Sequence, residues 1–229
     1  MIKFENTEVF NFEGAIRGMR NPLNSWDKSD SFRCSMSESC SDCQFCDPKY
    51  ERMVGNDPYI LGPNDLDLAR RLINAGSDHR KFLRQIFISV DITAPLYWWK
   101  EFDTYKVATV ANSCSTMHKI HSKPIELSDF SIDDFEVEEG HTLASDFEQV
   151  VIYCEWLRQK YLETKDRRYW RALIQLLPES YEQKRTITLT YETLRNMRGS
   201  RRNHKLSEWS VDFMEWLESL PYAEDLITS

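Results

Sequence analysis

The stretch Ser77–His118, SDHRKFLRQIFISVDITAPLYWWKEFDTYKVATVANSCSTMH, changes character twice along its length. From Ile86 to Ile92 it alternates. Ile86, Ile88, Val90 and Ile92 fall on one side, and Phe87, Ser89 and Asp91 on the other. Extended chain sends successive side chains to opposite faces, so the pattern predicts a strand in a sheet covered on one side. Thr93 then predicts a helix cap, with Pro95 in the first turn. Trp98, Phe102 and Tyr105 recur at helical spacing. Packing accounts for this first half. It does not account for the second half, where Lys106, Thr109, Asn112, Ser113, Ser115, Thr116 and His118 gather more polarity than a core requires. A loop with turn-forming hydroxyls is the plainer account of them.

Outward from this stretch the chain reads as a mixture. Residues 2–19 suggest a strand and a short helix, and residues 20–58 a long polar loop. GPNDLDLARRLINAG (62–76) predicts a helix capped by Asn64, closed by Gly76, with Leu66, Ala69 and Ile73 as its apolar stripe. Residues 122–142 are acidic and irregular. A long helix is expected over 143–162, buried through Leu143, Phe147, Val150, Val151, Cys154 and Leu157. RRYWRALIQLLP predicts a shorter helix stopped by Pro178, and RTITLTY a second alternating strand. ETLRNMRGSRR and LSEWSVDFMEWLESL predict two more helices, the last with Trp209, Phe213, Trp216 and Leu220 on its inner face. Strands and helices do not alternate regularly, which argues for an α+β fold rather than a doubly wound sheet. No composition shift divides the 229 residues, so one domain spanning 1–229 is expected.

The formal net charge is −8, which argues against broad binding to nucleic acid. Glycine is scarce and no glycine-rich phosphate loop occurs. No apolar run is long enough to span a bilayer and no signal peptide is evident, so a cytoplasmic protein without membrane contact is expected. Four cysteines, Cys34, Cys40, Cys43 and Cys46, crowd into CSMSESCSDCQFC. Such a cluster can hold zinc or an iron–sulfur cluster through thiolates, or be a loop with incidental thiols. Against the acidic background, RNMRGSRRNHK concentrates Arg195, Arg198, Arg201, Arg202, His204 and Lys205. Guanidinium groups in such number suit phosphate or carboxylate. A solvated basic face is the competing account. No serine triad or zinc-binding helix is present, and nothing marks a base beside Cys114.

The stretch 77–118 resembles the central segment of the flavin-dependent thymidylate synthases. In that family Gly-His opens a strand and an Ala-Pro turn starts a helix. The helix runs into Arg-His-Arg, then serine, asparagine, serine and a basic residue. His79 stands at the flavin-contacting histidine, and Ala94-Pro95 at the helix start. Thr104, Tyr105 and Lys106 occupy the Arg-His-Arg positions, and Thr109 that of the first serine. With Ala111 as a one-residue insertion, Asn112 and Ser115 match the later asparagine and serine. Met117 or His118 falls at the nucleotide-binding arginine. Further on, LLPESYEQKRTITLTYETLRNMRGSRRNHKLSEW is similar to the family in its order of Leu-Pro turn, strand, helix and arginine. Arg201 there matches the arginine that grips the uracil ring. Thr190-Tyr191-Glu192 replaces the family's Asn-x-Arg, and Ser207-Glu208-Trp209 echoes its Gln-Trp-Glu.

The resemblance implies an antiparallel sheet flanked by helices, and a homotetramer with sites at subunit interfaces. It implies methylation of dUMP with FAD as cofactor and methylenetetrahydrofolate and NADPH as co-substrates. No enzyme nucleophile is required; the protein positions and polarises the uracil. Carried over by position, Arg201 and Ser115 are the catalytic candidates. His79, Tyr105, Lys106 and Asn112 are the flavin contacts, and Thr109, Ser115, His118, Arg198 and Arg201 the pyrimidine-nucleotide contacts. A related hydroxymethylase or methylase, or a nucleotide- or flavin-binding protein without turnover, would use the same fold.

Overall fold

The computed structural model describes residues 2–34, 59–135 and 143–229. In chain order the principal elements are β1 (Lys3–Phe10), α1 (Phe12–Arg20), β2 (Phe32–Arg33), β3 (Tyr59–Ile60), α2 (Pro63–Asn74), β4 (Phe87–Pro95), α3 (Leu96–Phe102), β5 (Val110–Ser113), α4 (Leu143–Thr164), α5 (Arg167–Leu176), β6 (Glu182–Thr190), α6 (Tyr191–Arg201) and α7 (Met214–Glu218). A π-helical segment, Glu208–Phe213, leads into α7. The main sheet has the order β1-β4-β6-β5, and β2 pairs antiparallel with β3. Backbone bonds bracket β4 and β6. Tyr191 N–H donates to Ile86 O at 3.1 Å and Leu96 N–H to Tyr181 O at 3.0 Å. Numbers rise along one strand as they fall along the other, so the pair is antiparallel. The fold is α+β, an antiparallel sheet flanked by helices, as the element order predicts.

The residues fall into two compact units. One comprises Met1–Lys3, Ile92–Thr104 and Asn112–Arg185; the other Phe4–Asp91, Tyr105–Ala111 and Thr186–Ser229. In the second, Ile86 just before β4 and Ile88 and Val90 within it are buried, as are Ile187 and Leu189 of β6, Trp209 and Phe213. The predicted alternation holds. α2 does not begin as predicted: Asn64 lies inside it, and Asp30 supplies the cap from a distant loop. The Asp30 carboxylate accepts from Asn64 N at 2.9 Å and Asp65 N at 3.1 Å. Its inner face is Asp65, Leu68, Ala69 and Ile73, with Leu66 only half-buried. Asp65 is fully buried because it is the anchor of that loop. It accepts from Arg20 Nε at 2.5 Å, Ser29 Oγ at 2.7 Å and Ser31 Oγ at 2.6 Å. Burial pushes its carboxyl up, but the bonds from Ser31, Ser29 and Arg20 more than reverse this and hold it below the usual range.

In the first unit, Thr93 belongs to β4 and does not cap α3. The cap is unnecessary: Leu96 N–H and Tyr97 N–H donate to Tyr181 O and Glu179 O at 3.0 and 3.1 Å, which satisfies two of the donors a helix start leaves open. α3 ends at Phe102, so Tyr105 lies beyond it. Trp98 and Phe102 stack with centroids 5.2 Å apart, and Trp99 Nε1 donates to Gln183 O at 2.9 Å. A second apolar cluster joins Val151, Cys154 and Leu157 of α4 to Leu173, Phe130, Tyr181, Ile120 and Ile125, with Phe147 and Val150 packed on it. Leu143, in the first turn of α4, is exposed.

Candidate functional site

α6 starts where β6 ends, and its own sequence fixes the junction. Thr190 is the N-cap, its Oγ accepting from Thr193 N at 3.3 Å. Thr193 Oγ in turn donates to Val107 O at 3.4 Å, which ties the segment after α3 to the helix. One helix length on, Arg201 Nε donates to the Tyr105 hydroxyl at 2.9 Å. The guanidinium carbon of Arg201 lies 4.7 Å from the ring centroid of Trp209 and 5.3 Å from that of Tyr105. Trp209 is fully buried and packs edge-on against Phe213 at 5.1 Å. Arg201 is therefore held by the bond to Tyr105 and by two aromatic faces, a cation–π arrangement that fixes the plane of the fork. Trp209 sits in the π-helical segment, a geometry that concentrates at functional sites. His204 Nδ1 accepts from Leu206 N at 3.2 Å beside it.

Of the neighbouring arginines, Arg195 is engaged elsewhere. Arg195 donates to Ile227 O at 2.9 Å, and burial, then repulsion from Arg80, lowers its pKa. The Arg198 side chain is half-buried and has no hydrogen-bonding or carboxylate partner among the described residues. Glu192, at the place of the family's arginine, is buried and paired with Arg80 at 3.0 Å. His79 is exposed and lines a cleft of about 390 Å³ with Met19, Asp78, Phe82 and Gln85, a cleft to which neither Tyr105 nor Arg201 contributes. In the same unit Lys106 is exposed, and the hydroxyl of Thr109 is buried without a partner among the described residues.

The remaining candidates lie in the other unit. Ser115 lines a cleft of about 520 Å³ whose walls carry Lys3, Lys119, Lys123, Lys184 and Tyr181. Its Oγ accepts from His118 N at 2.8 Å, so its hydroxyl proton is left to donate elsewhere. Cys114 N donates to Lys184 O at 2.9 Å, and Trp170 Nε1 to Met117 O at 2.8 Å, so both flanks of this turn are pinned. Burial pushes the Tyr181 phenol up, and burial also pushes the Glu182 carboxyl up, partly offset by Lys3. Asn112 is exposed on β5, and His118 is exposed and does not line the cleft.

No protein-family model and no curated protein sequence matches the chain. Solved structures do. A flavin-dependent thymidylate synthase from Helicobacter pylori, complexed with FAD and dUMP, superposes with a TM-score of 0.64 at 16% identity, covering 99% of this chain and 97% of that one. A second structure of that Helicobacter pylori enzyme with FAD and dUMP gives 0.61 at 14% identity, covering 99% and 96%. A UMP/dUMP methylase from Streptomyces cacaoi, bound with 5-Br UMP, gives 0.52 at 13%, covering 73% and 82%. The fold is that of the flavin-dependent thymidylate synthases.

Within that fold two features escape a reading of the sequence. Trp209 reads as an ordinary core position on its helix, yet it is also the platform for Arg201. Lys119, Lys123 and Lys184 give no signal, because each is a lone lysine in the sequence; only folding gathers them. Of the four clustered cysteines, Cys34 is buried at the end of β2, while Cys40, Cys43 and Cys46 lie outside the described residues. Among the described residues no group of three or more His, Cys, Asp or Glu side chains could hold a metal, and no helix is long and apolar enough to cross a membrane.

Proposed function

We propose that the protein is a divergent flavin-dependent thymidylate synthase, transferring a one-carbon unit to a uracil nucleotide, with dUMP as the first candidate. Arg201 carries the reading. It stands at the position the resemblance gives to the uracil contact, and its fork is fixed by Tyr105 and Trp209. A rigid guanidinium can meet a ring carbonyl and an adjacent ring nitrogen together and stabilise the negative charge that develops as the ring becomes nucleophilic. The solved structures of like fold support the substrate class, since their ligands are dUMP and 5-Br UMP.

FAD fits what the chain offers. The Thr109 hydroxyl, without a partner among the described residues, and the exposed Lys106 are a donor and a cation suited to phosphate oxygens; His79, Tyr105 and Asn112 are the further contacts that the resemblance implies. When bound, FAD supplies the relay of the one-carbon unit and the hydride, with methylenetetrahydrofolate and NADPH as co-substrates. Only Lys106 keeps a charge at the three Arg-His-Arg positions, so flavin is expected to bind more weakly than in relatives with the full motif. Titration calorimetry with oxidised and reduced FAD reads this directly. The assembly is expected to be a homotetramer, checked by sedimentation.

Release of tritium from position 5 of dUMP, with UMP in parallel, tests the reaction. Release with flavin and folate present is the expected result. Binding of dUMP without release would favour a nucleotide-binding protein of the same fold, a reading that the replacement of an arginine by Glu192 supports. Neither binding nor release would end both.

A further inference from the structure

We infer that the outer face of the α4–α5 pair is a contact between two copies of this chain, related by a two-fold axis that passes near Trp156. α4 is apolar on two faces. Val151, Cys154 and Leu157 are buried and pack in one cluster with Leu173 of α5. Ile152 and Tyr153 stand four and three residues before Trp156, so these three share a second face. They are 53%, 54% and 41% exposed. A helix that is apolar all round belongs in an interior, yet this side of α4 is uncovered among the described residues. The exposed residues form one patch. Tyr153 stacks on Trp156 with ring centroids 5.4 Å apart, and Trp156 meets Tyr169 of α5 edge-on at 5.9 Å. Leu176, two turns along α5 from Tyr169, is exposed as well. Tryptophan and tyrosine are enriched where proteins meet, and rings already stacked lose little freedom on docking.

Charge identifies the occupant. The end of α4 before the patch is acidic, with Asp146 and Glu148, and the end after it is basic, with Lys165 and Arg167. The charges among them are already paired, Lys160 with Glu163 at 2.8 Å and Arg168 with Asp166 at 2.7 Å. Glu148, Lys165 and Arg167 are exposed and have no ion pair among the described residues. Glu148 stands eight residues before Trp156 and Lys165 nine after it, so each lies roughly 12–14 Å from it at ~1.5 Å per residue. A two-fold axis at Trp156 turns a second α4 antiparallel to the first. It sets Trp156 against Trp156 and brings Glu148 of each copy level with Lys165 of the other, at both ends of the contact. The face thus complements a copy of itself. A lipid surface or a polyanion would need basic residues around the whole patch, and the acidic end opposes both. The inference names a contact within the assembly proposed above, but it uses only α4 and α5 and not the reaction.

The full-length chain would be sedimented over a range of concentrations beside Trp156→Arg, Glu148→Lys and the double variant Glu148→Lys/Lys165→Glu. Melting temperatures confirm that each variant folds. Trp156→Arg should raise the dissociation constant about 30-fold or more, as loss of a central interface aromatic does, and halve the assembly. Glu148→Lys should weaken association about tenfold, because a two-fold contact counts each change twice. The double variant should recover most of that loss. Within one chain residues 148 and 165 are roughly 25 Å apart along the helix, so recovery reports on pairing between copies. A wild-type protein that stays monomeric at micromolar concentration overturns the inference, and so does Trp156→Arg with an unchanged assembly. A lower melting temperature beside that unchanged assembly would mean that the face is covered within the chain. Weakening by Trp156→Arg that the charge swap does not follow would put another partner surface there and overturn the two-fold pairing. The two readings fail separately. Tritium release from a protein whose assembly ignores Trp156 ends the inference and leaves the proposed function; assembly through Trp156 without dUMP binding does the reverse.

Discussion

Arg201 and Lys119 are both cations in an acidic chain, and they are held in opposite ways. Arg201 lies against Trp209 and Tyr105 with its Nε bonded, so little of its freedom remains. Lys119 stands at the edge of a hydroxyl-rich cleft with its ammonium uncommitted among the described residues. Pre-organisation suits a planar, directional partner whose charge appears only during reaction. An uncommitted point charge suits a permanent anion that needs no particular plane. Under the proposed function, Arg201 is therefore expected to act on rate.

The largest expected effect concerns neither cation but the frame of Arg201's unit. Asp65→Ala removes the acceptor of Arg20, Ser29 and Ser31 and strands a buried arginine whose Nη2 already lacks a partner among the described residues. Breaking one side of a buried pair costs about 3–5 kcal/mol. Urea denaturation should show that loss; a change below about 1 kcal/mol would mean the loop re-satisfies Arg20 by another route. Next comes Arg201→Lys, expected to lower turnover of dUMP by roughly 10–100-fold with fold retained, because a lysine cannot copy the fork. Arg202→Lys, at an exposed neighbour, should do far less. Equal, small effects at both positions would make the basic segment an ordinary solvated face and erase the contrast with Lys119.

Much of the frame can be read from the residues, and the reasons for the failures are physical. Ile86, Ile88 and Val90 alternate because one sheet face is buried, and Trp209, Phe213, Trp216 and Leu220 repeat because one helix face is. Caps fail where the partner is distant: Asp30 serves α2 from across a loop, and the carbonyls of Glu179 and Tyr181 serve α3 from another segment. Asp65 and Arg158 look like surface residues in the sequence because their burial depends on partners that only folding brings near, Arg20 for the one and the His121 carbonyl for the other. The same holds for site chemistry. Arg201 stands out within a run of arginines, whereas four lysines spread from position 3 to 184 carry no pattern until one cleft gathers them.

Lys119's unit has its own ionic anchor, and acid should find it. The two bonds from Arg158 hold the Glu155 carboxyl down at about 2; burial opposes them, and Ile125 N–H and Gln159 assist. A carboxylate depressed on folding contributes stability above its unfolded value, here near 4.5, and that stability is lost as pH falls toward 2. Glu155→Gln should therefore cost roughly 2 kcal/mol at neutral pH, with the gap to wild type closing through that window. Thermal melts of both proteins from pH 7 to 2 measure it. A gap that does not change with pH would show that Glu155 acts through packing and not through charge.

The smallest effect decides what Tyr105 is for. By resemblance it is a flavin contact; in the structure its hydroxyl accepts from Arg201 and its ring lies 5.3 Å from the guanidinium carbon. Tyr105→Phe keeps the ring and removes only the acceptor. Tyr105 is half-buried, so water can replace part of the lost bond, and the cost should be about 1 kcal/mol or less. If Tyr105 is a positioning residue, that cost falls on the step Arg201 serves: kcat for dUMP drops a few-fold and the affinity for FAD does not move. If the hydroxyl instead reaches the flavin, FAD affinity drops and kcat at saturating FAD recovers. Flavin titration and saturating kinetics on one variant separate the two, because a group that acts through Arg201 can change rate without changing how tightly the cofactor is held. Tyr105→Leu, which removes ring and hydroxyl together, should approach the loss seen in Arg201→Lys only in the first case.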